Sequence, residues 1–151
     1  SGNNRIIAEM LQNMWMENLG IKVQIEGLEW KIYLTTLDID RPHMFRAGWA
    51  ADYPDPHNFM NIFTCNGGNN ETGWCSPSYD KNISLASYQT SRNKREETYF
   101  KAQKELIYDK NIIIPLFISN QIYLKNKKIK NVHFSKMGII DFSEIELHPT
   151  N

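Results

Sequence analysis

Apolar residues recur at helical spacing across residues 4–19, "NRIIAEMLQNMWMENL", through Ile6, Ile7, Met10, Leu11, Met14 and Trp15. That spacing gathers them on one helix face, and Gly20 stands where a left-handed residue would end the helix. The period then drops to two. In "IKVQIE", Ile21, Val23 and Ile25 alternate with polar neighbours, which predicts a half-buried strand. Helical spacing returns in "LEWKIYLTTL" through Trp30, Tyr33, Leu34 and Leu37. "HMFRAGWA" reads as a second strand, and Pro54 and Pro56 forbid it from continuing as an interior one.

Beyond a Gly- and Asn-rich loop, "SYDKNISLASY" predicts a short helix. Asn93 with Glu96 three residues on has the form of a capping box. The helix it would open runs to about Lys110, with Tyr99, Ala102 and Leu106 on one face. "IIIPLFI", 112–118, is a continuous apolar run and predicts a buried strand, with Pro115 near an edge or bulge. "QIYLKNKKIKNVHF" adds one or two short strands and "SEIEL" a last one. Helices alternating with strands make the class α/β. An amphipathic helix at the front of such a chain expects a strand before it in a βαβ unit, so a first strand is expected to be missing.

Composition changes this picture little. The chain has 151 residues, 41% of them hydrophobic, and 17 basic residues cancel 17 acidic ones. That length suits a single domain. With no net field, nothing in the charge points to nucleic acid or an anionic membrane. No window reaches about 18 consecutive apolar residues, the length of a spanning helix. "KNKKIK", 125–130, reads as a docking patch or as an edge strand protected by lysines.

Candidate chemistry is concentrated in two places. Cys65 and Cys75 flank a flexible loop that could bring them together, and a disulfide there would contribute about 2.7 kcal/mol on the loop-entropy model. Two free thiols are the alternative. A zinc site is disfavoured because there is no close cysteine pair and no histidine in a matching pattern. The second place is "RAGWAADYPDP", 46–56. Gly48 permits close approach of a ligand or backbone, and Trp49 and Tyr53 offer flat apolar walls with polar edges. Asp52 can pair with an ammonium and Arg46 can hold a carboxylate by two prongs. Asp52, Asp55 and His57 can also be drawn as a metal site or acid–base pair, although carboxylates beside prolines commonly cap turns. The strings of the common hydrolase, zinc-protease and nucleotide-binding sites are absent.

Four segments carry a resemblance: "MLQNMWMENLGIKVQIEGLEWKIYL", "FRAGWAADYPDPHNFMNIF", "YDKNISLAS" and "REETYFKAQKELIYDKNIIIPLFISNQIYL". In this order they resemble the oligopeptide-binding proteins, the extracytoplasmic substrate-binding proteins of peptide-importing ABC transporters (solute-binding family 5). The resemblance runs from about residue 5 to 147. It implies one lobe of a two-lobed, class II periplasmic-binding-protein-like fold, a mixed sheet flanked by helices. Residues 1–151 would be most of the second, C-terminal lobe, with the other lobe absent. It implies a receptor rather than an enzyme, with no cofactor and no metal. The partners would be short peptides, the transmembrane permease subunits and the N-terminal lobe of the same protein. The location would be the periplasm or a lipid anchor at the outer face of the cytoplasmic membrane.

Carried over by position, Asp52 matches the aspartate that meets a peptide's α-ammonium, and Trp49 and Tyr53 match the aromatic surroundings of that site. Arg46 matches an arginine concerned with charge balance or carboxylate recognition. Cys65 and Cys75 match a local disulfide of the dipeptide-binding branch. The chain departs from the pattern at Ala50, where close relatives can carry a cysteine, and in a shortened "DIDRPHMF", where either an expected second basic residue is absent or Arg41 stands in for it. Related folds bind nickel chelates, haem, sugars or opines, and a hydrolase built on Asp52 and Asp55 is the reading from another class.

Overall fold

The computed structural model describes residues 2–135 and 137–148. The chain divides into two compact units, Ser1–Arg46 and Ala47–Asn151. In the first unit, helix α1 spans Gly2–Leu19 and α2 spans Trp30–Ile39. The stop at Gly20 is as the sequence predicts: its φ is +68°, and its N–H bonds to the carbonyl of Met16 at 3.1 Å, a left-handed helix cap. Glu29 caps α2 by accepting from the N–H of Lys31. Between the helices, Gln12 Nε2 donates to the carbonyl of Val23 at 2.6 Å, tying the connecting segment to α1.

The second unit is built around a helical knot. Helix α3 (Pro56–Met60) runs into a 3₁₀ turn at Asn61–Phe63, and α4 covers Pro77–Tyr88. Helix α5 (Arg92–Lys104) widens into a π turn at Glu105–Asp109. Tyr79, Ile83 and Ala86 of α4 are buried, as are Tyr99, Ala102 and Leu106 along α5 and its extension. Both sets keep the three- and four-residue spacing of one helix face, and with Met60 they form the core. The Tyr79 hydroxyl donates to the carbonyl of Met60 at 2.6 Å, so the largest core side chain also pins the end of α3. Cys65 and Cys75 are joined in a disulfide. Its loop is anchored again where the Asp80 carboxylate accepts from the N–H of Cys65.

The later strands are short. Ile129–Lys130 (β1) pairs antiparallel with Glu146–Leu147 (β4), and His133–Phe134 (β2) with Ile140–Asp141 (β3). β1 and β2 lie in the stretch where the sequence predicts one or two short strands and β4 in the one expected to hold a last strand; Ile140–Asp141 is new.

Several local expectations are corrected. Residues 21–25 and 43–50 form no ladder among the described residues. Alternation specifies which face of a strand is apolar but supplies no partner, and a strand exists only by pairing. The apolar run 112–118 is not a buried strand: Ile112 and Ile113 pack against the helical core, but Ile118 is 92% exposed. The capping box at Asn93 does not form. Helix α5 begins earlier, with Ser91 flanking it and Asn93 inside its first turn. Glu96 is instead taken by Arg92, 2.8 Å away on the preceding turn.

Candidate functional site

The segment 46–56 leads into α3, and the way α3 is started fixes its shape. Pro56 occupies the first helical turn, where a missing N–H costs nothing. Asp55 precedes it in an extended conformation and accepts from the N–H of His57 at 2.8 Å. One step back, the N–H of Asp55 reaches the carbonyl of Tyr53 at 2.8 Å, a three-residue turn around Pro54. The prolines and the cap thus bend the chain sharply just after Asp52.

Asp55 carries a second load. Arg95 on α5 places one guanidinium nitrogen 2.7 Å and 2.9 Å from its two oxygens. The same guanidinium lies over the Tyr99 ring, 4.9 Å from its centre, and the Tyr99 hydroxyl is 3.2 Å from Nδ1 of His57. The Arg95 guanidinium, helped by the His57 N–H, holds the Asp55 carboxyl below the usual range, against the opposing effect of burial. A carboxylate so engaged is a structural anchor. The hydrolase reading needed Asp55 as a reacting group, and the structure commits it to Arg95 and to the start of α3.

Asp52 is held differently. Its neighbour is Asn58, 7% exposed on α3. Asn58 Oδ1 accepts from the Trp49 indole N–H at 2.7 Å and from the backbone N–H of Asp52 at 3.2 Å. Asn58 Nδ2 donates to Asp52 Oδ2, also at 3.2 Å. Two donors facing one amide oxygen leave the amide nitrogen facing the carboxylate, so the amide orientation follows from its partners. Among the described residues, Oδ1 of Asp52 has no hydrogen-bond partner. Trp49, Asp52 and Tyr53 line a recess of about 160 Å³ closed on another side by Gly67, Gly68 and Asn69. Sites for drug-sized ligands run to roughly 300–1,000 Å³, so this recess fits one end of a ligand, not a whole one. A larger polar groove of about 460 Å³, bordered by His57, Asp80 and Ser84, contains neither Asp52 nor Trp49.

Of the anticipated residues, Trp49, Asp52 and Tyr53 therefore meet at one recess. Gly48 precedes them on the same segment, and a methyl group added there would meet no atom within 4 Å. Arg46 is the last residue of the first unit, where its carbonyl accepts from the Tyr33 hydroxyl at 3.1 Å. Arg41 also lies in that unit and is exposed. Sequence reasoning missed Asn58, Arg95 and Gly67. Arg95 gives no local signal, being 40 residues from Asp55. Gly67 is required by close approach: a Cβ there would run into the carbonyl oxygen of Ile62. Asn58 had a faint signal as a small amide in the first turn of a proline-started helix.

Residues 1–71 match the family described as bacterial extracellular solute-binding proteins, family 5 middle. The chain is 33% identical over 137 residues to the oligopeptide-binding protein OppA of Bacillus subtilis (strain 168), covering 90% of this chain and 25% of that protein. The chain is a homologue of the family 5 solute-binding proteins. This bears out the resemblance carried by the four segments. Among solved family 5 relatives, it is similar to Haemophilus influenzae OppA in complex with RPPGFSPFR, with a TM-score of 0.65 and 34% identity over 70% of this chain and 21% of that one. The substrate-binding domain of an oligopeptide ABC transporter from Bacillus anthracis str. Ames covers 96% of this chain and 29% of that one, at TM-score 0.79. Its identity of 21% shows the fold alone. The fold is thus that of the periplasmic-binding-protein-like peptide binders, here as helices with small sheets. The chain spans about a quarter of the length of the family 5 relatives it matches.

Proposed function

We propose that this chain is most of the second lobe of a two-lobed receptor that captures short peptides outside the cytoplasm and delivers them to the transmembrane subunits of an ABC importer. Relatives named as periplasmic oligopeptide- and murein-peptide-binding proteins support that setting, whether the protein is free in a periplasm or lipid-anchored at the outer face of the membrane. Asp52 anchors the peptide's α-ammonium, Trp49 and Tyr53 flank it, Gly48 leaves the approach open, and Arg46 serves the ligand's carboxylate or its charge balance. The observation that carries this reading is an Asp52 carboxylate held by one oxygen, with the other unpartnered among the described residues, beside an indole in a recess sized for a ligand's end. A matching wall from the other lobe would complete the enclosure, as a hinged trap closing on its ligand.

The test is calorimetry on the full-length protein. Asp52→Ala should weaken peptide binding by about tenfold or more, the scale of a lost charge-assisted hydrogen bond. An unchanged dissociation constant would remove Asp52 from the site. Native mass spectrometry of the protein as purified adds an independent check, since retained ligand that fragments into amino acids identifies a peptide.

A further inference from the structure

Two aspartates three positions apart receive opposite partners. Asp55 meets a guanidinium, so its charge is balanced within the chain. Asp52 meets the amide of Asn58, which orients it without cancelling its charge. The second torsion of an aspartate side chain is broad and roughly two-fold, so an exposed carboxylate has no set plane unless a bond fixes it. Asn58 supplies that bond from a buried position. Its own direction is set by the Trp49 indole N–H and the Asp52 backbone N–H, both converging on its Oδ1.

From this arrangement we infer that Asn58 is the positioning residue of the ligand site: it aims the free oxygen of Asp52 while keeping the carboxylate's negative charge available for a cationic amine. The inference rests on the proposed role of Asp52 and adds how that role gains its selectivity for a charged amino end. A guanidinium or ammonium at position 58 would hold the carboxylate equally well and forfeit the attraction. A side chain without a polar group would leave the charge but release its direction.

The experiment compares tetra-alanine with propionyl-trialanine on the full-length protein by calorimetry, because that analogue replaces the ammonium by hydrogen and adds no bulk. The readout is the ratio of the two affinities, which a general loss of stability does not move. Asn58→Ala should reduce that ratio about tenfold, as expected for losing an oriented charge-assisted contact. If Asn58→Ala does not fold, Trp49→Phe carries the test. It keeps a ring but removes the indole N–H that orients the amide, and should lower the ratio a few-fold. A wild-type ratio in whichever variant folds overturns the inference. Asp52→Ala separates the two levels. If it abolishes the ratio while Asn58→Ala preserves it, only the positioning role fails. If Asp52→Ala itself preserves the ratio, the ammonium site and the inference fall together.

Discussion

The helical knot of residues 56–109 and the apolar run that follows it are both rich in large hydrophobic side chains, yet they end in opposite environments. In the knot, Tyr79 is 0% exposed and Leu106 1%. In the run, Ile118 is 92% exposed and Ile114 65%. The difference lies in how each backbone satisfies its polar groups. Helices α4 and α5 close their hydrogen bonds internally, so each needs only a facing helix to bury its stripe. An extended segment needs another strand at its edge before its side chains can form a layer. Hydrophobicity alone therefore does not place a residue in a core.

Truncating one side chain in each region tests this contrast directly. Ile83→Ala should destabilise the fold by about 3–4 kcal/mol, the usual cost of a cavity in a packed core. Ile118→Ala in this same chain should change stability by less than about 0.5 kcal/mol, as for an exposed position. Urea unfolding followed by circular dichroism measures both, and equal effects would show that the run is packed in solution.

Next in size is the covalent brace of the knot. The bridge closes a separation of 10 residues, so Cys65→Ser should cost about 2.7 kcal/mol by loop entropy. Reductant should lower the melting temperature of the wild type towards that of the variant and leave the variant unmoved.

A smaller loss than that of the bridge is expected at the Arg95–Asp55 pair. Both side chains are about 30% exposed, so Arg95→Leu should cost only about 1 kcal/mol at neutral pH. Its pH dependence is more telling. Because Asp55 titrates below its usual value when folded, its contribution is complete above about pH 4, the unfolded carboxylate range. That contribution is lost as pH falls through the depressed folded value. Arg95→Leu should therefore flatten the acid limb of the stability profile and leave its neutral region parallel to wild type. An unchanged acid limb would show that the pair contributes nothing to it.

How much the sequence revealed follows the same division. The faces of α4 and α5 were readable because a helix encodes its buried stripe in consecutive spacing, and Tyr99, Ala102 and Leu106 fell where that spacing put them. Residues 21–25 and 43–50 were misread because alternation describes a side-chain pattern and not a partner. The proposed ligand segment is readable in its residue types but not in its supports. Asp52 and Trp49 stand out in "RAGWAADYPDP". By contrast, Asn58 acts through three contacts that only the folded turn creates, and Arg95 arrives from a helix that begins far along the chain.

Helix α3 has five residues, well short of the roughly 12–15 at which a helix becomes even marginally stable alone. Its order is borrowed: Arg95 holds its first turn and the Tyr79 hydroxyl its last residue, both from longer helices. Ordering a residue's backbone costs about 1–2 kcal/mol, and a flexible binding segment incurs that loss each time it closes on a ligand. Here the loss is taken once, when α4 and α5 fold around α3. For the receptor proposed above, the interaction energy of every capture would thereby be kept for the ligand itself.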